Sequence, residues 1–100
     1  MVSWTRIIEF AGIAAGMVRL DRPEPGAGLE ISILIDPGCQ GMGLGRRAVE
    51  AVAALYPREA IDAYIDPANT ASERLFAGSG YHRGAEGWWH LPPREGASNV

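Results

Sequence analysis

Residues 36 to 47 read Asp-Pro-Gly-Cys-Gln-Gly-Met-Gly-Leu-Gly-Arg-Arg, with glycine at Gly38, Gly41, Gly43 and Gly45. Glycine carries no Cβ, so backbone amides in such a stretch can close on a ligand. The stretch leads from an apolar run, Ile31 to Ile35, into a helix-like run, Ala48 to Tyr56. A helix start offers unpaired N–H groups and the positive end of the dipole. The chemistry this suggests is anion binding, most simply of a phosphate. Arg46 and Arg47 point the same way. Exposed positive charge in a first helical turn costs about 0.3–1 kcal/mol, and an adjacent polyanion would reverse that sign. A tight turn with two solvated arginines is the plainer alternative.

Two familiar phosphate patterns fail here. The dinucleotide fingerprint needs a third glycine three residues after the second, and Arg46 stands there. The P-loop needs Gly-Lys-Ser/Thr, but Gly43 is followed by Leu44 and Gly45.

The elements that must position this loop can be read from periodicity. Ser3 to Phe10 reads as a strand, with Trp4, Arg6, Ile8 and Phe10 on one face. Ala11-Gly12 is a turn, and Ile13 to Leu20 a second strand. Residues 21 to 28, rich in proline and glycine, form a loop. Leu29 to Asp36 is the clearest strand. Leu29, Ile31, Ile33 and Ile35 share a face, and Glu30, Ser32 and Leu34 take the other. Leu44, Ala48, Val52 and Leu55 recur at helical spacing, and Pro57 ends that helix. Ala60 to Ile65 is a short strand. Asn69 caps a second helix, with Thr70 and Glu73 fitting a capping box. Tyr81 to Ala85 and Trp88 to Leu91 form a hairpin around Glu86-Gly87. The order is β-β-β-α-β-α-β-β, an α+β class with an α/β-like centre. The central strand-helix-strand unit implies a parallel pair. Residues 1–91 form one domain, and 92–100 a tail expected to fray.

Composition narrows the function. The chain of 100 residues is 47% hydrophobic and 21% charged, within the range of a globular domain. A net charge of −3 argues against a general nucleic-acid binder. No apolar run is long enough for a membrane span, and the first residues lack a signal-peptide core. The single cysteine, Cys39, fits a reducing compartment, so a cytoplasmic protein is expected. No Cys/His spacing suggests a metal. Asp62 and Asp66 read as strand-end and turn residues rather than a catalytic pair.

Two stretches together resemble the GNAT superfamily of N-acetyltransferases. Gln40-Gly41-Met42-Gly43-Leu44-Gly45 is similar to its pyrophosphate loop. Asn69, Ser72, Leu75, Phe76, Gly80 and Tyr81 match a second signature downstream. The resemblance covers residues 12 to 91. It implies acetyl-CoA or another acyl-CoA as donor and a primary amine of a small molecule or peptide as acceptor. It implies that Ile33, Leu34 and Ile35 pair with the pantetheine arm. Amides of Gln40, Gly41, Met42, Gly43, Leu44 and Gly45 would hold the pyrophosphate, with Arg46 helping. Asn69, Ser72 and Phe76 would line the arm. The family's sheet splays between the strands here ending at Asp36 and Asp66.

The resemblance breaks at two places. Phe76 stands where many members have a tyrosine that protonates the leaving thiolate. Tyr64 or Tyr81 could substitute, water could serve, or catalysis could be lost. A non-catalytic CoA-binding or regulatory module is therefore the alternative. Glu30, on the third strand, is the candidate base; it is equally readable as a solvated residue. Most members also have a strand and two helices ahead of the strand at Ser3 to Phe10. Without that cover, Trp4, Ile8 and Phe10 would form an exposed patch, so a homodimer is expected.

Overall fold

The structure is a computed structural model and describes residues 3–95. The element order matches the expectation. Strands β1 (Ser3–Phe10), β2 (Ile13–Asp21) and β3 (Leu29–Ile35) are followed by helix α1 (Leu44–Leu55) and β4 (Ile61–Tyr64). Helix α2 (Thr70–Gly78), β5 (His82–Arg83) and β6 (Trp88–Leu91) complete it. A 3-10 turn over Pro37–Cys39, not foreseen, enters the glycine loop.

All six strands join one sheet in the order β1-β2-β3-β4-β6-β5. The hairpins at both ends are set by tight turns. Ala11 and Gly12 have φ of 53° and 79°, and Glu86 and Gly87 have 56° and 87°. Paired positive φ values suit the twist of two-residue hairpins. The central pair, β3 and β4, is parallel as expected, yet it pairs only at Leu29↔Ile61 and Glu30↔Asp62. Beyond those residues the two strands part.

Both helices pack on the same face. Val18 and Leu20 of β2, Leu29 and Ile31 of β3, and Ile61 and Ala63 of β4 meet Val49 and Val52 of α1 and Phe76 of α2 in one buried cluster. Trp4 and Ile8 also pack against this cluster. The Trp4 indole donates to the Tyr56 hydroxyl at 3.0 Å. Of the expected exposed patch of Trp4, Ile8 and Phe10, the first two are thus covered, while Phe10 is 44% exposed. An uncovered apolar row lies on the reverse face. There Ile7, Met17 and Leu34 are neighbours in register and are 60%, 40% and 63% exposed.

The tail is tied down further than expected. The Arg94 guanidinium donates to the carbonyls of Ala53, Tyr56, Glu59 and Pro92 at 2.7–2.8 Å. The amides of Arg94 and Glu95 both donate to the Pro57 carbonyl. α1 has no basic residue in its own last turn, so Arg94 supplies the charge its C-terminus favours. Residues 92–95 are therefore anchored; 96–100 lie outside the described residues.

Tyr81 shows the opposite balance. Its ring sits in the core, 3% exposed, edge-on to Phe76 at 4.9 Å. Its hydroxyl is buried with no hydrogen-bond partner among the described residues. Burial pushes the phenol well above its ordinary 10.0; the Arg94 charge opposes this and Asp62 adds to it.

Two predictions follow from these anchors. Arg94→Ala should cost about 1–2 kcal/mol and lower Tm by several degrees, because a fork of charge-assisted bonds is lost. Arg94→Lys should not rescue it, since an ammonium cannot span the four carbonyls; thermal unfolding reads both. Tyr81→Phe should leave stability at pH 7 unchanged or raised, because it removes an unpaired buried hydroxyl. A phenol whose folded pKa is raised contributes fully below the unfolded value. Wild-type stability should thus fall as pH rises above about 10. Denaturant titrations across that range should show less of this fall in Tyr81→Phe.

Candidate active site

The glycine loop begins with a fixed turn. Asp36 accepts a hydrogen bond from the Gly38 amide at 2.9 Å and so caps the 3-10 turn. Gly41 and Gly43 then have φ of 83° and 76°, a region that favours glycine. An added Cβ at either would meet nothing within 4 Å, so conformation rather than crowding explains both residues. Gly43 is the N-cap of α1 and supplies no side-chain cap. The first turn holds no acidic residue. The leading amides of α1 therefore face the adjoining hollow without a side-chain acceptor.

Gly45 has a different reason. A Cβ there would lie 2.9 Å from Leu75 Cδ1, so its absence lets α2 approach α1. Arg46 also ties the helices together. Its Nε is 3.0 Å from Glu50 Oε2, and its Nη2 reaches the Gly78 carbonyl at 3.5 Å. Its place in the first turn thus has a structural reason of its own. Arg47 points to solvent and lines neither hollow described next.

Two hollows adjoin. The larger, about 400 Å³, is floored by Ile33 and Ile35 of β3 and bounded by Gln40, Gly41, Gly43 and Leu44 of the loop. Gly45 and Arg46 of α1 face it, as do Asn69, Ser72 and Leu75 around α2. The smaller, about 150 Å³, lies where β3 and β4 part. Ser32, Tyr64, Asp66 and Phe76 border it. Ile33, Asn69 and Ser72 line both, so the hollows communicate along α2. The Asn69 side chain accepts from the Ser72 amide at 3.0 Å, which fixes the start of α2. Glu73, expected in a capping box, pairs instead with Arg83 at 3.1 Å.

Most residues singled out in the sequence converge here, and four do not. Leu34 points to the reverse face, and Met42 is 49% exposed at the loop tip. Tyr81 is in the core and borders neither hollow. Glu30 also borders neither; it sits beside Asp21 and Asp62 on the reverse face. Tyr64 does border the smaller hollow, 59% exposed and edge-on to Trp88 at 5.7 Å. Phe76 seals the inner wall, 3% exposed. In the sequence Asp66 reads as a turn residue and Ser32 and Cys39 have no part in the site, yet all three border the hollows. The signal for Asp66 was its place at the end of a strand expected to splay.

The comparisons agree with this architecture. The model of the acetyltransferase (GNAT) family matches residues 2–81. No curated protein matches the chain. Among solved structures, yncA, a putative acetyltransferase from Salmonella typhimurium with its cofactor acetyl-CoA, superposes with TM-score 0.73 at 22% identity. That match covers 98% of this chain and 69% of the other. The GNAT domain of S. lividans PAT gives TM-score 0.70 at 26% identity, over 83% and 55% of the two chains. The aminoglycoside acetyltransferase AAC(6')-Ib, in complex with coenzyme A and kanamycin, gives 0.73 at 18%, over 88% and 65%. The chain thus spans roughly half to two thirds of the length of these structures. The family match over most of the sequence, on a sheet that parts beside an uncapped helix start, places this chain in the GNAT acetyltransferase family.

Proposed function

We propose that the chain binds acetyl-CoA and transfers its acetyl group to a primary amine of a small molecule or peptide. One observation carries this reading. The hollow at the uncapped start of α1 runs past Asn69 and Ser72 into the gap between β3 and β4. A pyrophosphate would sit in the first part, where uncapped amides, the helix dipole and Arg46, itself paired with Glu50, meet. The amides of Gln40 to Gly45 would hold it. The edge of β3 at Ile33 and Ile35 would pair with the pantetheine arm, as in strand addition. Acetyl-CoA supplies the thioester to be attacked.

On this reading the acceptor enters the gap past Ser32 and Tyr64, which border it. Tyr64 is the candidate acid for the departing sulfur, because it borders the gap and Tyr81 does not. Glu30 stands two residues before Ser32, roughly 7 Å along the strand, so it would act as a base only through water. The acceptors of related structures, kanamycin for AAC(6')-Ib among them, are consistent with an amine. The row of Ile7, Met17 and Leu34 supports a homodimer, and gel filtration reads that directly. The lone Cys39 and the net charge of −3 support a cytoplasmic protein that binds no nucleic acid. No described helix is long and apolar enough to cross a membrane.

Phe76 favours a second reading, a CoA-binding module without catalysis, since a phenyl ring donates no proton. A thiol-release assay with acetyl-CoA and a panel of amines separates the two. Amine-dependent release supports the transferase, and tight binding without release supports the module. Gly43→Glu should weaken CoA binding by about 100-fold or more, roughly 2.7 kcal/mol, by placing bulk and negative charge at the helix start. Gly43→Asn, which tolerates the left-handed backbone, should fold and retain most of the affinity. Calorimetry reads both, and unchanged affinity in Gly43→Glu would refute the loop assignment.

A further inference from the structure

The acceptor amine is an ammonium ion near neutral pH, and only its neutral form has a lone pair for attack. A base in direct reach of the gap, or one water away, would take that proton. Of the described residues bordering the two hollows, Asp66 is the one carboxylate. It lies two residues past the end of β4 and, with Tyr64, borders the smaller hollow where β3 and β4 have parted.

The local structure holds Asp66 firmly. Its Oδ1 accepts from the Ala68 amide at 2.9 Å. Its carbonyl accepts from the Asn69 amide at 2.8 Å, which links it to the cap of α2. Asn69 and Ser72 border both hollows, so Asp66 is joined to the same turn that would face the donor. The neighbouring charges are otherwise committed or displaced. On β2, Arg19 is paired with Asp21 at 2.8 Å. On β4 and β6, Asp62 is paired with His90 at 2.7 Å. Glu30 on β3 lies one row back and borders neither hollow.

We propose that Asp66, rather than Glu30, takes the proton from the acceptor's ammonium group. The assignment rests on the transferase reading above. The ammonium gives one proton to the Asp66 carboxylate. The freed lone pair forms the C–N bond at the thioester carbonyl carbon, and the C–S bond breaks with its electron pair on sulfur. Tyr64 passes its phenolic proton to that sulfur and takes the remaining surplus proton from nitrogen. The products are an amide and free CoA thiol, and Asp66 later returns its proton to water. Asp66 would thus be a catalytic residue and also the anion that attracts a cationic acceptor.

Asp66→Asn is a clean test, because the amide oxygen can still accept from Ala68 and keep the turn. With acetyl-CoA and n-butylamine, spermidine or a lysine peptide as acceptor, its kcat/KM near pH 7 should fall about 100-fold or more. The loss should shrink as pH rises and free amine becomes abundant. Calorimetric affinity for acetyl-CoA should stay within a few-fold of wild type. Glu30→Gln should lose less than tenfold. Without acetyl-CoA, a carbon-13 NMR titration with n-butylammonium should move the Asp66 carboxyl signal. Undiminished turnover in Asp66→Asn, a larger loss in Glu30→Gln, or an unmoved Asp66 signal overturns the assignment alone. A wild type that binds acetyl-CoA yet releases no thiol with any of these amines overturns the transferase reading, and this assignment with it.

Discussion

The site depends on where two parallel strands stop pairing. β3 and β4 share the register pairs Leu29↔Ile61 and Glu30↔Asp62 and then diverge. Had the ladder continued, Ile33 and Ile65 would be closed into the sheet and no passage would join its faces. Because the strands part, the far half of β3 keeps backbone groups that β4 does not satisfy. An unpaired strand edge is a place for an extended ligand to add. The cost of the opening is limited by the cluster below it, where Leu29 and Ile61 are fully buried. The paired half of the two strands carries stability, and the other half of β3 is left unpaired by β4.

The second constraint is electrostatic. α1 begins on a glycine in the left-handed region, with no capping side chain and no acid in its first turn. Such a start leaves orphan amides that a Ser or Asp cap would have satisfied, typically by about 1 kcal/mol. The same omission keeps the helix dipole unopposed toward the larger hollow. α2 is built the other way, with Asn69 as a proper cap and Glu73 in its first turn. The contrast between the helices separates a start kept open from one that is closed.

Local chemistry made much of this legible in the sequence. The alternation of Leu29, Ile31, Ile33 and Ile35 identified β3 and its buried face. The glycines at 41 and 43 marked a loop whose backbone needs positive φ, and Asn69 marked the start of α2. Long-range facts were harder to read. β1 is apolar on both faces, with Ile7 opposite Trp4 and Ile8, so alternation alone could not say which face met the helices. Arg94 gains its meaning from the carbonyls of Ala53 and Tyr56, which are distant in sequence. Gly45 looked like one more loop glycine until Leu75 of α2 was found against it. Asp66 resembled an ordinary turn residue because a strand end and a cavity wall have the same sequence signature.

On the proposed reading, one continuous passage from the start of α1 to the gap between β3 and β4 receives a CoA thioester. Amide NMR shifts during titration with CoA test it most directly. The amides of Ile33, Gly41, Gly43, Gly45 and Ser72 should shift together with a single affinity, while amides of β1 and β5 stay still. Shifts confined to other surfaces, or none at saturating CoA, would contradict it.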